Sequence, residues 1–386
     1  MTDTSKFQEF ISHFENTKYW LPMATTCENS PWHRESSVSE HTMMLYRWYR
    51  DNKMSERSDR QRVLTFLAIM FHDTGKPASR TEKWREDRGT YYTYAGHEQI
   101  SARFWEDYAL THWEFLKKLF PMLMIEDVYK IGYIVENHLP FSDAKEDKQR
   151  VFRNALFAAL GDEEVAYFDC MLSDQHGRIS DNQEEKLKEV YAWINKFQTL
   201  MNKQATINEA PQNVKVINLL IGASGSGKST YVDRQITQYG EDGVGVYSLD
   251  TLRLEYASSH IDGWENYDSK EQYRQAFSLS VDDAAGYGSF ANKAFSEMLK
   301  KYDYILVDNT NVSRKARTKL ANIARKCGFW VAGTLFPISK KELLKRMTSR
   351  TDKRVPEEAV LCQWNQISYP SIGDDVDSVI VYPGNF

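Results

Sequence analysis

The sequence is poor in cysteine and lacks long hydrophobic runs. Its cysteines, Cys27, Cys170, Cys327 and Cys362, are scattered and form no C-x-x-C pair. This excludes a disulfide scaffold and a zinc knuckle, and it is typical of reduced thiols in a cytoplasmic protein. Apolar runs such as residues 219–222 stop far short of the ~20 residues that span a bilayer. Since no basic and then apolar segment opens the chain, no secretory signal and no membrane partner are expected.

A strong overall charge is also lacking, since the formal net charge is −5. That value does not indicate a nucleic-acid-binding protein. The distribution is uneven, however, because residues 314–354 carry 13 Lys and Arg against two acids. Such a segment predicts either a phosphate-binding surface or an ordinary solvated helix face, and composition favours neither. With 41% hydrophobic and 27% charged residues, the chain is globular, and its 386 residues suit two domains.

Two different sequence patterns meet near residue 208. Before about residue 202, apolar residues recur at three- and four-residue steps, which predicts an all-α bundle. A polar segment with a proline follows at 203–212 and is typical of a linker. Beyond it, short β-type runs alternate with helical stretches, which predicts an α/β domain with a parallel sheet. The predicted strands are 214–222, 244–249, 302–308, 329–336 and 377–382. We therefore predict a multidomain fold with domains at 1–205 and 206–386.

A phosphate-binding loop follows the first predicted strand. Residues 222–229 match G-x-x-x-x-G-K-[ST], and they precede a predicted helix, as this motif requires. In such a P-loop, backbone N–H groups bind nucleotide phosphates, the lysine reaches the β- and γ-phosphates, and the hydroxyl binds Mg²⁺. The sequence therefore predicts that ATP and Mg²⁺ bind here. The residues concerned are Gly222, Ser224, Gly225, Ser226, Gly227, Lys228, Ser229 and Thr230.

Charged residues after the P-loop favour a kinase over other nucleotide-binding proteins. Asp250 ends the second predicted strand, where it can take a proton from an acceptor hydroxyl, and Arg253 can hold an acceptor phosphate. A helix cap is the alternative role of Asp250. Asp308 and Asn311 follow the third strand, where metal and phosphate ligands gather.

A lid is predicted from Arg346 and Arg350, which lie four apart on one helix face, although ordinary surface residues share this spacing. These elements together resemble the phage-type polynucleotide 5′-kinases. The resemblance implies that Asp250 is the general base for a 5′-hydroxyl and that Arg253 contacts the neighbouring acceptor phosphate. It also implies that Arg350 stabilises the transferred phosphoryl group. Asn309 interrupts the family's D-T-N-like strand end, which leaves the role of the preceding aspartate open.

Histidine is concentrated in the front half, where eight of the nine precede residue 177. His72 and Asp73 end an apolar helix that breaks at Gly75, so both side chains can face one metal ion. A single such histidine is more often a hydrogen-bonded core residue. A whole set of imidazoles and carboxylates instead favours divalent transition metals, with a carboxylate able to bridge two ions. The other members are His41, His97, His138 and Asp174.

The order of these residues resembles the HD phosphohydrolase superfamily, in which two-metal members carry two extra histidines. The resemblance implies two ligand sets that share one aspartate. The first set is His41, His72, Asp73 and Asp174, and the second is Asp73, His97 and His138. The ions, of Mn, Ni, Co, Fe or Zn, would supply an activated water. Catalysis is assigned to Asp73 and Lys76, and Lys76 is expected to contact the substrate phosphate. His33 and Arg34 are predicted phosphate contacts, with an interhelical structural role as the alternative.

The two halves together resemble the bifunctional HD-domain polynucleotide kinases of RNA repair. The resemblance implies hydrolysis of 2′,3′-cyclic phosphate and 2′- or 3′-phosphate ends, and ATP-dependent phosphorylation of 5′-hydroxyl ends of RNA or DNA. It also implies a functional link to an RNA ligase. One alternative is a mononucleotide phosphohydrolase fused to a small-molecule or nucleoside kinase. Another is a regulatory protein that combines a P-loop switch with a degenerate HD domain.

Overall fold

The computed structural model of the chain describes residues 3–28, 35–87, 89–139, 144–180, 183–199, 210–349 and 355–382. The chain divides into two compact units, one comprising Met1–Thr206 with Ser371–Gly373 and the other Ile207–Pro370 with Asp374–Phe386. The first unit is mostly helical and the second contains a five-stranded parallel sheet, which confirms the predicted fold class. No helix in the described ranges is long and apolar enough to cross a membrane.

The first unit consists mainly of helices. Within the described residues they are α1 (Asp3–Phe14), α2 (Trp20–Thr25), α3 (Val38–Asn52), α4 (Asp59–Phe71), α5 (Lys76–Ser79), α6 (His97–Thr111), α7 (Trp113–Leu119), α8 (Glu126–Glu136), α9 (Glu146–Leu160), α10 (Val165–His176) and α11 (Gln183–Thr199). Short 3₁₀ turns lie at Met54–Glu56 and Gly161–Glu163.

Helix α4 is the central helix of this unit. All residues from 63 to 71 are buried, because the helix is apolar on every side and is surrounded by other helices. A capping box between Ser58 and Gln61 fixes its start. Near its end, Phe71 packs edge-on against Trp105 of α6, with ring centroids 5.2 Å apart. The rigid end of α4 therefore presents the two residues that follow it to the interior.

A β-hairpin, formed by β1 (Thr81–Arg85) and β2 (Gly89–Thr93), interrupts the helices between α5 and α6. The prediction of an all-α bundle did not include this hairpin. Every residue of β1 is exposed, so its sequence shows no alternation of apolar and polar residues, and that alternation is the signal by which half-buried strands are recognised.

The second unit contains the strands β3 (Lys215–Ile221), β4 (Gly245–Tyr247), β5 (Tyr304–Val307), β6 (Phe329–Leu335) and β7 (Ser378–Val381). Each lies within two residues of its predicted bounds. The helices of this unit are α12 (Lys228–Tyr239), α13 (Leu249–Ser258), α14 (Ser269–Asp282), α15 (Ala284–Lys301), α16 (Arg314–Lys326), α17 (Lys340–Ser349) and α18 (Glu357–Asn365), with a 3₁₀ turn at Trp264–Asn266.

The strand order is β4-β5-β3-β6-β7, and all neighbouring strands are parallel. The chain leaves β3 toward one edge of the sheet and later crosses to the other side at β6. Such a reversal opens a crevice at the carboxyl ends of the central strands. The P-loop, Asp250 and Asp308 all follow carboxyl ends of strands here, so the topology brings them to one edge of the sheet.

Candidate metal centre and nucleotide site

Asp73 is the centre of a buried cluster in the first unit. Its Oδ1 lies 3.1 Å from His97 Nε2 and 3.8 Å from His138 Nε2. Its Oδ2 lies 3.1 Å from His72 Nε2 and 3.6 Å from His41 Nε2. The ligand atoms form two groups, each within 4.8 Å, and Asp73 belongs to both. This is the arrangement that a carboxylate bridging two ions requires.

Asp174 joins the cluster from α10. Its Oδ1 lies 3.1 Å from His41 Nε2, while its Oδ2 accepts hydrogen bonds from Gln175 and Arg178. The arginine therefore fixes the carboxylate and leaves one oxygen directed at the cluster. The structure thus brings together all six predicted ligands.

The imidazole rings are oriented so that each Nε2 faces the cluster. His72, His97 and His138 each donate Nδ1–H to the backbone carbonyl three residues earlier, at 2.7, 2.8 and 2.8 Å. This bond fixes the tautomer, since a carbonyl can only accept, and it leaves a lone pair on Nε2. The Nδ1 of His41 instead lies 3.4 Å from Glu35 Oε1. Metal-binding histidines commonly have such partners on the second nitrogen.

Burial and charged neighbours shift the pKa values of the cluster in both directions. Burial opposes charge on His41, but its hydrogen bonds to Asp174 and Glu35 raise its pKa to about 9. Burial, together with His72 and His97, lowers the pKa of His138 to about 3, so that imidazole is neutral and can act as a ligand. Burial also opposes charge on Asp73, but His72 and Lys76 hold its pKa well below the usual value. His72 Nε2 and Asp73 Oδ1 are buried without a hydrogen bond, which is costly unless another group satisfies them. Imidazole and carboxylate donors suit a divalent transition-metal ion.

Lys76 lies beside the cluster and is itself buried. Its Nζ lies 2.8 Å from both Asp73 Oδ2 and Glu28 Oε1. Burial opposes its charge, but the two carboxylates raise its pKa above the ordinary lysine value. Lys76 is therefore positively charged, and its ammonium group orients the Asp73 carboxylate. His33 and Arg34 lie outside the described residues.

Three residues near these ligands were missed by sequence reasoning. They are Glu28, Glu35 and Arg178, which contact Lys76, His41 and Asp174, respectively. None belongs to a recognisable local motif, because each contacts its partner through the tertiary fold or as an ordinary i, i+4 neighbour on a helix end.

A glycine is required at position 75, because the backbone there lies very close to the first turns of α6. A Cβ there would lie 2.3 Å from the carbonyl oxygen of His97 and 2.8 Å from the backbone nitrogen of Ser101. We expect Gly75→Ala to lower the free energy of unfolding by about 1–3 kcal/mol through overpacking, and to weaken divalent-metal binding by the cluster by moving His97. Calorimetry of unfolding and metal titrations would measure both effects.

Gly288→Ala is a matched control for this change. A Cβ at Gly288 would meet nothing within 4 Å, and the residue lies inside α15. Alanine there should raise stability by roughly 0.5–1 kcal/mol. Equal behaviour of the two variants would contradict the packing argument.

The P-loop of the second unit has the backbone conformation that its glycines permit. Gly225 and Gly227 adopt φ values of +90° and +105°, a region that residues with a Cβ rarely occupy. Lys228 begins α12, and its Nζ donates to the carbonyl oxygens of Gly222 and Ala223, both at 2.8 Å. The helix N-terminus and the ammonium group together make an anion site.

The end of β5 supplies a carboxylate to the P-loop. Asp308 Oδ2 accepts a hydrogen bond of 3.4 Å from the Ser229 hydroxyl, and a hydroxyl beside an aspartate is the pair that holds Mg²⁺ in P-loop proteins. Asn309 Oδ1 accepts from the backbone N–H of Leu249 at 2.9 Å. Asn311, in contrast, is buried and donates to backbone carbonyls, including that of Leu220 at 3.0 Å. It therefore shapes the loop instead of lining the site.

A cavity of about 1360 Å³ opens over the P-loop. It is larger than the ~300–1,000 Å³ of common small-ligand sites, so it has room for a nucleotide and an acceptor. Gly222, Ser226 and Asn311 do not line it, and Arg350 lies outside the described residues. Ten of the predicted residues line it: Ser224, Gly225, Gly227, Lys228, Ser229, Thr230, Asp250, Arg253, Asp308 and Arg346.

Asp250 lies in the first turn of α13. The cap of that helix is Ser248, whose side chain accepts from the Thr251 N–H, so Asp250 is not the capping residue. Its Oδ1 instead accepts from Arg253 at 2.7 Å and from the Tyr273 hydroxyl at 3.4 Å. The structure therefore places the carboxylate and the arginine side by side in the cavity, with Tyr273 as a partner that sequence reasoning missed.

Part of the positive charge of the basic segment at 314–354 is neutralised by the fold. Arg346 pairs with Glu342 at 2.9 Å, and its Nη1 lies 3.5 Å from the carbonyl oxygen of Ser226 in the P-loop. Glu342 is already counted in the composition of the segment, so this pair does not lower the charge excess. The excess is lowered by three pairs with acids that follow the segment: Arg314–Asp374, Arg317–Asp375 and Arg325–Asp377.

Residues 217–369 match the family model of an AAA domain. The matched stretch begins in β3 and includes the P-loop, Asp250, Asp308 and α17. Residues 217–369 are therefore similar to that family, and they contain the P-loop and most of a parallel sheet of the kind found in P-loop kinases. With the parallel sheet, this match supports ATP binding and ATP-dependent phosphoryl transfer. No curated protein sequence matches the chain.

Proposed function

We propose that this protein is an end-healing enzyme for RNA or DNA. Residues 1–205 form an HD phosphohydrolase domain that removes 2′,3′-cyclic phosphate and 2′- or 3′-phosphate, and residues 206–386 form a polynucleotide 5′-hydroxyl kinase. The observation that carries the proposal is the presence, in one chain, of a buried imidazole cluster around Asp73 and a nucleotide cavity with Asp250 and Arg253 beside the P-loop. Its products, 3′-hydroxyl and 5′-phosphate ends, would be substrates for an RNA ligase.

In the hydrolase, the proposed ligands fall into two sets, as their positions favour: His41, His72, Asp73 and Asp174 in the first, and Asp73, His97 and His138 in the second. Bound divalent ions would supply an activated water and stabilise the charge that develops on phosphate. The cation of Lys76, 2.8 Å from Asp73 Oδ2, would hold the shared carboxylate in place and add positive charge toward the substrate phosphate.

In the kinase, Lys228 and Arg346 would hold the phosphates of ATP, and Ser229 with Asp308 would hold Mg²⁺. Asp250 would accept the proton of the attacking 5′-hydroxyl. Arg253, which now pairs with Asp250 at 2.7 Å, would orient that carboxylate and contact the neighbouring acceptor phosphate. Arg350 is assigned to the transferred phosphoryl group by resemblance alone.

The alternative is a mononucleotide phosphohydrolase fused to a small-molecule or nucleoside kinase. An oligoribonucleotide with a 5′-hydroxyl and a 2′,3′-cyclic phosphate distinguishes the two proposals, when it is offered with γ-labelled ATP, Mg²⁺ and a series of transition metals. We expect label at the 5′ end and phosphate release at the 3′ end, identified by mass. Turnover of nucleosides and mononucleotides without turnover of the oligonucleotide would refute the end-healing function.

A further inference from the structure

The β-hairpin carries a row of aromatic rings on one face. Trp84 pairs with Thr90, and Glu82 pairs with Tyr92, in the antiparallel register. Directly paired residues share a face, as do residues two apart on one strand. Trp84 and Tyr92 are therefore diagonal neighbours on one face, and Tyr94 continues the row just beyond β2. We call Trp84, Tyr92 and Tyr94 the aromatic track.

The inner end of the aromatic track lies at the metal cluster. The Lys76 ammonium is 5.5 Å from the centroid of the Tyr94 ring. The Tyr94 hydroxyl donates to the carbonyl oxygen of Cys27 at 3.2 Å, next to Glu28, the other partner of Lys76. The carbonyl oxygen of Tyr94 accepts the Nδ1–H of His97 at 2.8 Å. Tyr94 therefore adjoins both a proposed metal ligand and the cation that holds Asp73.

Trp84, at the outer end of the track, is open to solvent. A cation, Arg80, lies against Tyr92, and the strand register places the acid Glu82 on the same face. The Arg80 guanidinium carbon lies 3.6 Å from the centroid of the Tyr92 ring, as in a stacked cation–π contact. Of the large apolar side chains exposed in the described residues, Trp84 has the greatest exposed fraction, 70%. A two-stranded hairpin is marginally stable on its own, and most of the Trp84 side chain is left open to a ligand instead of being buried against the hairpin.

We propose that the aromatic track stacks the last bases of a single-stranded RNA whose terminal phosphate lies at the Asp73 cluster. This inference rests on the proposed phosphohydrolase function and extends it to a preference for a polymer. Rings in a row bind successive bases without regard to sequence, and Arg80 supplies a positive charge for the backbone phosphate between them. The continuity of the track with the cluster favours the substrate strand over a protein partner.

Trp84→Ala and Trp84→Phe test the proposal. The substrates are a hexaribonucleotide ending in 2′,3′-cyclic phosphate and uridine 2′,3′-cyclic monophosphate. We expect Trp84→Ala to raise KM for the hexanucleotide roughly tenfold, because base–aromatic stacking is lost. Its kcat, and both constants for the mononucleotide, should be unchanged, and Trp84→Phe should restore most of the affinity. An equal loss on both substrates would mean a structural role and would overturn the proposal.

A binding measurement tests the aromatic track independently of the proposed phosphohydrolase activity. If the wild-type protein hydrolyses neither ester, the proposed hydrolase function fails, and the track is then tested with a 3′-hydroxyl hexaribonucleotide whose 5′ end is blocked by fluorescein. Anisotropy should show weaker binding by Trp84→Ala and normal binding by Tyr239→Ala, which removes an exposed ring from the second unit. Unchanged binding by Trp84→Ala would overturn the proposal.

Discussion

Asp73→Asn should lower the proposed 3′-end phosphohydrolase activity by about 10²-fold or more and leave the proposed 5′-phosphorylation intact. The substitution keeps the size of the side chain but removes the charge that faces both ligand groups, so neither group retains its shared carboxylate. It also leaves buried Lys76 with only Glu28 as a close carboxylate. Both activities would be measured on one preparation, with the kinase reaction as the test of folding.

Asp107→Asn is the matched control for this variant. Asp107 is also buried in the first unit, but it accepts hydrogen bonds from Tyr19 and Lys18 and lies outside the cluster. Its loss should lower stability and leave the hydrolase active. Full phosphohydrolase activity of Asp73→Asn would refute the metal centre, and loss of both reactions in folded Asp73→Asn protein would refute independent sites.

The converse result is expected for Lys228→Ala. Its ammonium, held at 2.8 Å by two P-loop carbonyls, is the cation that would neutralise the β- and γ-phosphates in the transition state. Kinase activity should fall by on the order of 10²-fold or more, while phosphate release from the 3′ end continues. Lys293→Ala, which removes an exposed lysine on α15, should leave both activities unchanged. A kinase rate within a few-fold of the wild type would contradict the assigned role.

The strands of the second unit could be predicted because each is a short apolar run between polar turns. The P-loop could be predicted because it is contiguous, so its glycines, Lys228 and Ser229 are read in one motif. The role of Asp250 could be decided only from the structure, since a helix cap and a general base can occupy the same position in a sequence. Only the hydrogen bond from the Thr251 N–H to Ser248 excludes the cap.

The hairpin and the residues that contact the predicted ligands could not be predicted. The reason is that the residues involved become neighbours only in the folded structure. Trp84 and Tyr92 lie eight residues apart and become neighbours only through the strand register. Glu28 and Lys76 are 48 positions apart, and nothing near either residue marks the pair. The excess charge of residues 314–354 was overestimated in the same way, because Asp374, Asp375 and Asp377 lie outside that window but pair with its arginines.

Local chemistry was therefore readable from the order of amino acids: two fold classes, a phosphate loop, and imidazoles and carboxylates in a recognisable sequence. The spacing of hydrophobic residues and contiguous motifs carry that information, because both depend only on residues that are close along the chain. The folded arrangement alone decided that the six predicted ligand side chains lie together in one cluster around Asp73 and His41, that Lys76 is buried between two acids, and that a row of aromatic residues ending in the exposed Trp84 begins beside them. Those facts depend on packing between distant segments, for which a single sequence holds no local signal.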